Sequence, residues 1–276
     1  MGLIRKEGDA RLHIQSDLMG ESLMDKSLMA STATDKPFRI MPDVHLLKIG
    51  GQSIMDRGRA AVFPVLDEIV ENRRDKKIIL STGGGTRSRH VYSIALDLGM
   101  PTGVLARLGQ SISEQNALMV AMLLANRGGI KIGHEDISKL ASYLNLGCIP
   151  IVHGMPPYGL WEEPPASGRI PPHRTDVGAF LLAEVLGCDH CVFIKDEKGL
   201  YSEDPKKNPN AKFIPEIELD ELLRLDLNDL IVERAVLQAM KNALYVTKIF
   251  IVNGLTPGNI TRAMSGENAG TVIYKK

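Results

Sequence analysis

Lys48-Ile49-Gly50-Gly51 and Thr82-Gly83-Gly84-Gly85 are the two stretches that decide the fold of this chain. Each follows an apolar, β-prone run, residues 44–47 and 78–82, and each precedes a segment with the composition of a helix. Glycine turns between a strand end and a helix start let backbone N–H groups approach an anion closely, with the positive end of the helix dipole behind them. Two such turns, one with a lysine before it, therefore predict a site for the phosphates of a nucleotide.

Lysines stand at two predicted strand ends, Lys48 before the first turn and Lys195 at the end of strand 191–195. A positive point charge at the carboxyl end of a parallel strand can stabilise the charge on a transferred phosphoryl group. Asp176 opens the predicted helix 176–186, where it can cap the helix or hold substrate or Mg²⁺-bound oxygens. We therefore predict Lys48, Lys195 and Asp176 as catalytic residues.

Further polar residues extend this predicted phosphate site. Arg87 and Arg89 open the helix after the triple glycine, where their charge opposes the helix dipole unless an anion offsets it. A tight turn at residues 199–205 follows Lys195. The predicted nucleotide-binding residues are Gly50, Gly51, Gly83, Gly84, Gly85, Arg89, Gly199, Tyr201, Asp204 and Pro205.

The composition of the chain limits other functions. Its 276 residues carry a net charge of zero, so we expect neither a nucleic acid nor a membrane surface as partner. No apolar run approaches the ~18 residues of a membrane span, and the polar residues 1–7 do not match a signal peptide. With only three cysteines, the chain is expected in the reducing cytoplasm.

Two of the cysteines form the sequence Cys188-Asp189-His190-Cys191. This spacing suits a redox pair or half of a metal site, but it also suits the junction between a helix and a strand. We favour the junction, because the chain has no second cysteine pair to complete a structural zinc site.

The remaining sequence alternates predicted strands and helices. Beyond residues 44–47, the strands are 77–82, 130–132, 148–152, 191–195 and 246–252; the helices are 58–73, 87–98, 111–126, 136–146, 176–186 and 230–244; a hairpin occupies 196–213, and a helix and a strand end the chain. This alternation predicts an α/β fold with a mainly parallel sheet covered on both faces. We find no linker between domains, and we expect the irregular, proline-rich residues 153–175 to be functional.

Residues 1–38 stand apart as an N-terminal arm before a single domain at 39–276. Leu-Met pairs recur every five residues within 17–30, which spreads them around a helix instead of forming one apolar stripe. The arm can dock on a neighbouring subunit through its adaptable methionines, or it can be disordered in the free chain. The sequence leaves both alternatives open.

The motifs, taken in order, resemble the amino acid kinase superfamily, to which bacterial uridylate kinase belongs. They are Lys48-Ile49-Gly50-Gly51, Thr82-Gly83-Gly84-Gly85, Arg174-Thr175-Asp176 and Lys-Gly-Leu-Tyr-Ser-Glu-Asp-Pro at 198–205. Within the superfamily, the chain resembles the molybdenum storage proteins more closely than the kinases, through residues 48–61, 89–90, 155–158, 170–176 and 252–258. The resemblance implies a three-layer α/β/α sandwich, Mg-ATP binding, and ATP-dependent packing of molybdate or tungstate as polyoxometalate clusters inside a hexameric cage of paired trimers.

Histidines are the side chains best suited to such a cargo. Molybdate is a tetrahedral dianion whose condensation consumes protons, and imidazole can donate to oxyanions, carry protons and ligate the metal. His134 and Glu135 lie at a predicted strand-to-helix turn, and His153 and His173 flank the proline-rich loop. We predict that these four residues anchor the metal and that protonated imidazoles offset the cluster charge. The alternative is that these histidines cap turns or face solvent.

The chain also departs from the patterns it resembles. Lys198 stands where the superfamily usually has Asp, and Tyr158 is followed by residues 159–161 where the cluster-binding storage subunit has histidines. The chain mixes features of two subunit types, so we expect one chain to build a homo-hexamer, with a paralogous second subunit as the alternative. Two other functions stay open: a small-molecule kinase of the same fold, and a regulatory nucleotide-binding protein without turnover.

Overall fold

The computed structural model describes residues 3–4, 13–14, 38–156 and 162–276. Residues 1–38 and 39–276 are two separate compact units. In the first, strand β1 (Leu3–Ile4) pairs antiparallel with β2 (His13–Ile14). The Leu-Met pairs of the predicted arm, and the segment from Tyr158 to Trp161, lie outside the described residues.

The second unit alternates strands and helices over its whole length. Its strands are β3 (Val44–Ile49), β4 (Lys77–Thr82), β5 (Gly129–Lys131), β6 (Ile149–His153), β7 (His190–Lys195), β8 (Leu200–Tyr201), β9 (Phe213–Ile214), β10 (Glu216–Glu218), β11 (Lys248–Asn253) and β12 (Gly270–Tyr274). Its α-helices are α1 (Arg59–Asn72), α2 (Gly85–Asp97), α3 (Thr102–Leu123), α4 (Leu140–Asn145), α5 (Thr175–Leu186), α6 (Leu219–Leu225), α7 (Arg234–Lys241) and α8 (Asn259–Met264). In the described part of the chain, no helix is long and apolar enough to cross a membrane.

The central sheet has eight strands in the order β10-β12-β11-β7-β3-β4-β6-β5. Neighbouring strands run parallel except for the antiparallel pair β11–β12. Every residue of β3 is buried, as expected for a central parallel strand with helices on both faces. The predicted α/β fold with a mainly parallel sheet is confirmed.

Two separate hydrophobic clusters lie on the two faces of the sheet. Leu46 of β3 packs into the cluster that contains Phe180 of α5 and Leu237 of α7. Leu47, the next residue, packs into the other cluster, with Leu66 of α1. Because successive strand residues point to opposite faces, this alternation gives the three layers of the predicted α/β/α sandwich.

Some predicted helix boundaries are wrong. Helix α3 begins at Thr102, well before the predicted start at 111, although Gly109 in its first half has a low helix propensity. Gly109 is required by packing, since a Cβ there would lie 1.9 Å from the hydroxyl oxygen of Tyr92. The predicted helix 136–146 is instead a 3-10 helix, His134–Lys139, followed by α4.

The predicted helix 230–244 is also wrong in extent, because only Arg234–Lys241 is helical. The residues before it contribute side chains to the site described below. Strand β10 and helix α6 lie in a stretch to which the sequence analysis assigned no structure.

Candidate nucleotide-binding site

The two glycine turns meet at the carboxyl edge of the sheet. Strands β3 and β4 are parallel neighbours, with Ile49 opposite Thr82, so the turns that follow them lie side by side. A Cβ on Gly51 would lie 2.2 Å from the backbone nitrogen of Gly85 and 2.9 Å from the carbonyl carbon of Gly83. The approach of the two backbones is therefore possible only with glycine at position 51.

Helix α3 holds the second turn in place through buried polar side chains. The Nδ2 of Asn116 donates to the carbonyl of Gly83 at 2.5 Å, and the hydroxyl of Ser113 donates to the carbonyl of Thr82 at 2.6 Å. Both side chains belong to residues that are fully buried. This support fixes the direction of the backbone N–H groups that follow β4.

Lys48, Lys195 and Asp176 form a buried ion triad beside the turns. The Nζ of Lys48 lies 2.5 Å from Oδ1 of Asp176, and the Nζ of Lys195 lies 2.9 Å from Oδ2. Burial by itself would raise the pKa of Asp176, but the two ammonium groups outweigh it and hold that pKa below its ordinary value. Burial also lowers the pKa of Lys195. The carboxylate thus fixes two positive charges next to the glycine amides.

A carboxylate that sequence reasoning missed positions Asp176. Glu233 accepts hydrogen bonds from the backbone N–H groups of Arg174, Asp176 and Val177, each at 3.1 Å. These are donors of the first turn of α5, so Glu233 caps the helix from a distant part of the chain. Burial, followed by the nearby charge of Asp176, raises the pKa of Glu233. No local sequence pattern around Glu233 predicts this contact.

These groups line one cavity of about 800 Å³. It brings together all the residues predicted as catalytic or nucleotide-binding: Lys48, Gly50, Gly51, Gly83, Gly84, Gly85, Arg89, Asp176, Lys195, Gly199, Tyr201, Asp204 and Pro205. The lining also includes Ser53, Arg57, Tyr92 and Lys206, which the sequence analysis did not select. Acidic and basic side chains are equally numerous in the lining. Because the net charge of the lining is balanced, attraction of an anion to this cavity would depend on where its lysines and backbone N–H groups lie.

Arg87 and Arg89, the two arginines at the start of α2, have different surroundings, and the expectation that an anion offsets their charge stays a prediction. The guanidinium of Arg87 donates to Gln115 at 2.9 Å and to Asn116, both on α3. The carboxylate of Asp56 accepts from the backbone N–H of Thr86 at 2.6 Å, so a protein group already serves the start of α2. Of the two arginines, only Arg89 lines the cavity.

Lys198, the departure from the superfamily pattern, packs against the hairpin formed by β8 and β9. Its Nζ lies 4.2 Å from the ring centroid of Phe213, a cation–π contact. The positive charge of Lys198 therefore contacts the hairpin that also carries Tyr201.

Two of the four predicted metal-binding residues lie together. The rings of His134 and His153 are 3.7 Å apart between centroids. Nε2 of His153 lies 3.6 Å from Oε1 of Glu114 and 3.4 Å from Nε2 of Gln110. Sequence reasoning missed both α3 residues, although they lie one helical turn apart. We call His134, His153, Glu114 and Gln110 the histidine cluster.

The surroundings of both rings in the protein favour the neutral imidazole, and the offset of cluster charge by protonated imidazoles stays a prediction. Burial, with the nearby charges of His134, Lys131 and Arg107, lowers the pKa of His153 to about 3. Burial also lowers the pKa of His134. Each ring has a buried Nδ1 atom without a hydrogen-bond partner in the protein. Both are therefore neutral at neutral pH, the form that ligates metals.

The other two predicted metal ligands have different surroundings. Nδ1 of His173 lies 3.2 Å from Oε2 of the buried Glu162. Glu135 is exposed, and its carboxylate folds back towards Gly133.

The cysteine motif lies at a helix–strand junction, as we favoured. Residues 187–189 connect α5 to β7, and Cys188 and Cys191 are free and buried. Burial raises the pKa of the Cys188 thiol to about 12 and raises that of Cys191 as well. Neither thiol is poised for redox chemistry.

Residues 43–253 match the model of the amino acid kinase family. The chain belongs to that family. This family member is 50% identical over 256 residues to the molybdenum storage protein subunit beta of Azotobacter vinelandii, covering 93% of this chain and 95% of the relative. It is 24% identical to the uridylate kinase of Metallosphaera sedula, over 83% of this chain and 97% of the relative. The predicted resemblance to the storage proteins is confirmed.

Solved structures agree with the family assignment at the level of the fold. The uridylate kinase of Archaeoglobus fulgidus superposes with a TM-score of 0.63 at 22% identity, over 83% of this chain and 99% of that one. The UMP kinase of Bacillus anthracis gives a TM-score of 0.65 at 19% identity, over 85% and 96%. The three-layer architecture is thus that of the amino acid kinase fold.

Proposed function

We propose that this protein stores molybdenum, and that it binds Mg-ATP and uses its hydrolysis to pack molybdate or tungstate as polyoxometalate clusters. The observation that carries the proposal is the 50% identity, over nearly the whole of both chains, to a molybdenum storage protein subunit. The motifs that carry the resemblance extend across the sheet edge where the cavity lies, so similarity is not confined to the core.

The geometry of the cavity supports ATP as the nucleotide. Phosphoryl transfer depends on positioning and on charges that face the transferred group. Lys48 is the last residue but one of β3, and Lys195 ends the adjacent strand β7. The turns at Gly50-Gly51 and Gly83–Gly85 supply backbone N–H groups beside them. Together they can orient a triphosphate and stabilise the charge on its terminal phosphoryl group as water attacks.

The donor set fits Mg²⁺ as an ion that arrives with the nucleotide. In the described part of the chain, no three histidine, cysteine or carboxylate ligand atoms converge within the cavity. Mg²⁺ commonly uses one or two carboxylates together with substrate phosphates and water. Asp176 is the carboxylate that would hold it, in exchange for one of its lysine contacts. The ion would neutralise phosphate charge.

The histidine cluster is the proposed anchor for the cargo. His153 ends β6, directly opposite Thr82, the residue that precedes the triple glycine. The cluster and the nucleotide cavity are therefore neighbours at one edge of the sheet. Neutral imidazoles and the Glu114 carboxylate can ligate Mo(VI) or W(VI), whereas the positive charges of Lys131 and Arg107, which act on His153, can offset cluster charge. We retain His173 and Glu135 as further proposed anchors.

Metal analysis of the purified protein tests the proposal. Cells expressing the chain are grown with molybdate or tungstate, and the protein is washed free of unbound oxoanion before elemental analysis. We expect tens of Mo or W atoms per oligomer, retained through gel filtration and increased by Mg-ATP. A substoichiometric metal content, together with phosphorylation of UMP, would instead assign the protein to the conventional kinases of this fold.

We also propose a homo-hexamer, formed by one chain in the cytoplasm. Apolar side chains on α2, directly after its last residue and on α3 support assembly: Ile94, Leu98, Leu118, Met119 and Met122 are 44–64% exposed in the single chain. Light scattering on the purified chain is expected to give six times its mass of 30.2 kDa. A monomer or dimer at micromolar concentration would indicate that a second, paralogous subunit is needed.

A further inference from the structure

A second group of metal-ligating side chains lies at the opposite, amino-terminal edge of the sheet. His45 near the start of β3 is directly opposite His190, the first residue of β7. Their rings stack with centroids 5.2 Å apart and an interplanar angle of 25°. Asp189 joins them, because its backbone N–H donates to the carbonyl of Val44 at 2.8 Å. The proposed nucleotide and cargo sites use none of these three residues.

The three side chains present convergent ligand atoms. One nitrogen from each histidine and one carboxylate oxygen all lie within 4.8 Å of one another. Nδ1 of His190 is 2.9 Å from Oδ2 of Asp189. Nδ1 of His45 is buried and has no hydrogen-bond partner in the protein, an arrangement that is costly unless another group satisfies it.

The surroundings of His45 and His190 favour the neutral imidazole, which is the form that can bind a metal ion. Burial, with the nearby His190 and Lys76, lowers the pKa of His45 to about 4, so the ring is neutral at neutral pH and one of its nitrogens has a lone pair for a metal. Lys76 and Arg39 disfavour added positive charge at His190, whereas Asp189 favours it. A cation bound here would therefore depend on direct coordination more than on the local field.

We propose that His45, His190 and Asp189 bind a divalent transition-metal ion of the Zn²⁺ type. Two imidazoles and a carboxylate are a common three-ligand set for zinc, with water in the fourth position. Ligand atoms around tetrahedral zinc are about 3.3 Å apart, so the group must contract slightly. Asp189 can supply that movement, since its side chain is 44% exposed.

A metal ion at this site would link strand β3, strand β7 and the loop that precedes β7. A bound ion would tie the beginning of β3 to that of β7 and satisfy the buried Nδ1 of His45. Metal binding then stabilises the folded chain by mass action. Cys188 and Cys191 are not part of the ligand set, so no thiolate coordination is expected.

The test uses the full chain stripped of metal and titrated with Zn²⁺ by calorimetry. The histidine cluster could also take zinc, so every protein carries the His134→Gln and His153→Gln changes. In this background we expect one Zn²⁺ per chain. Adding His45→Gln or Asp189→Asn should weaken binding at least tenfold. Adding His90→Gln, at an exposed histidine on α2, should leave binding unchanged.

Two further readouts separate coordination from a loss of structure. Zn²⁺ should raise the thermal unfolding midpoint of the background protein but not that of the Asp189→Asn variant, whose exposed side chain can be changed without disturbing the core. Co²⁺ should give the visible bands of a tetrahedral site without a thiolate charge-transfer band. Equal Zn²⁺ affinity in the Asp189→Asn and His90→Gln variants would overturn the proposal, as would no binding in the background protein.

Discussion

Lys48→Ala is expected to lower ATP turnover by at least about tenfold, equivalent to ~1.4 kcal/mol of activation free energy, in a protein that remains folded. The substitution removes one of two ammonium groups that the Asp176 carboxylate holds beside the glycine turns. Asp176 keeps Lys195 as a partner, so no buried carboxylate is left without a counter-charge. The missing charge is one that the terminal phosphoryl group needs in the transition state.

Steady-state ATP hydrolysis, measured on oligomer isolated by gel filtration, checks this expectation. Lys77→Ala is the matched control, because Lys77 begins the neighbouring strand β4 at the other edge of the sheet and pairs with the exposed Asp43. That variant should hydrolyse ATP at the original rate. If Lys48→Ala retains both full ATP turnover and full metal loading, the proposed role of Lys48 is wrong.

The fold and the cavity at the glycine turns were predictable because they depend on local sequence. A strand followed by a glycine turn and a helix is a continuous pattern, and two such units, once parallel and adjacent, must bring their turns together. Thus Gly51 and Gly85 meet although 33 residues lie between them in the chain. Lys195 was found in the same way, because it ends a strand of the same parallel sheet.

The parts that sequence reasoning missed depend on contacts between distant residues. Glu233 caps α5 from nearly sixty residues away, and its neighbours give no sign of this role. Glu114 reaches His153 only because α3 packs beside β6. The lowered pKa of His134 and His153 also depends on the fold, since burial disfavours the charged imidazole.

The arrangement of the sheet suggests how the two proposed sites communicate. Thr82 lies between them: its backbone continues into the triple glycine, and it is the register partner of His153. Ser113 on α3 contacts both sides, since its hydroxyl donates to the carbonyl of Thr82 and accepts from the N–H of Gly154 at 3.3 Å. If nucleotide binding shifted the glycine turn, these contacts would therefore transmit the movement to the histidine cluster.

His153→Ala is expected to reduce the Mo or W bound per oligomer severalfold while ATP hydrolysis remains measurable. The substitution removes a neutral, buried imidazole whose Nδ1 has no protein partner and whose Nε2 lies near Glu114. The lysines and glycine amides of the cavity are untouched, so nucleotide turnover should persist. His153→Gln, which keeps most of the volume, distinguishes lost coordination from a packing defect because it should load equally poorly.

Removing His134 as well should abolish most of the remaining cargo, since the centroids of the two rings are only 3.7 Å apart and we propose that they form one anchoring point. Elemental analysis of each variant, loaded with molybdate or tungstate and Mg-ATP, gives the comparison. His90→Ala serves as the control for loss of an exposed histidine. His173→Ala tests the predicted anchor that contacts Glu162 separately from the cluster. Full loading in the His134→Ala/His153→Ala protein would contradict the proposal, because both rings could then only be packing residues.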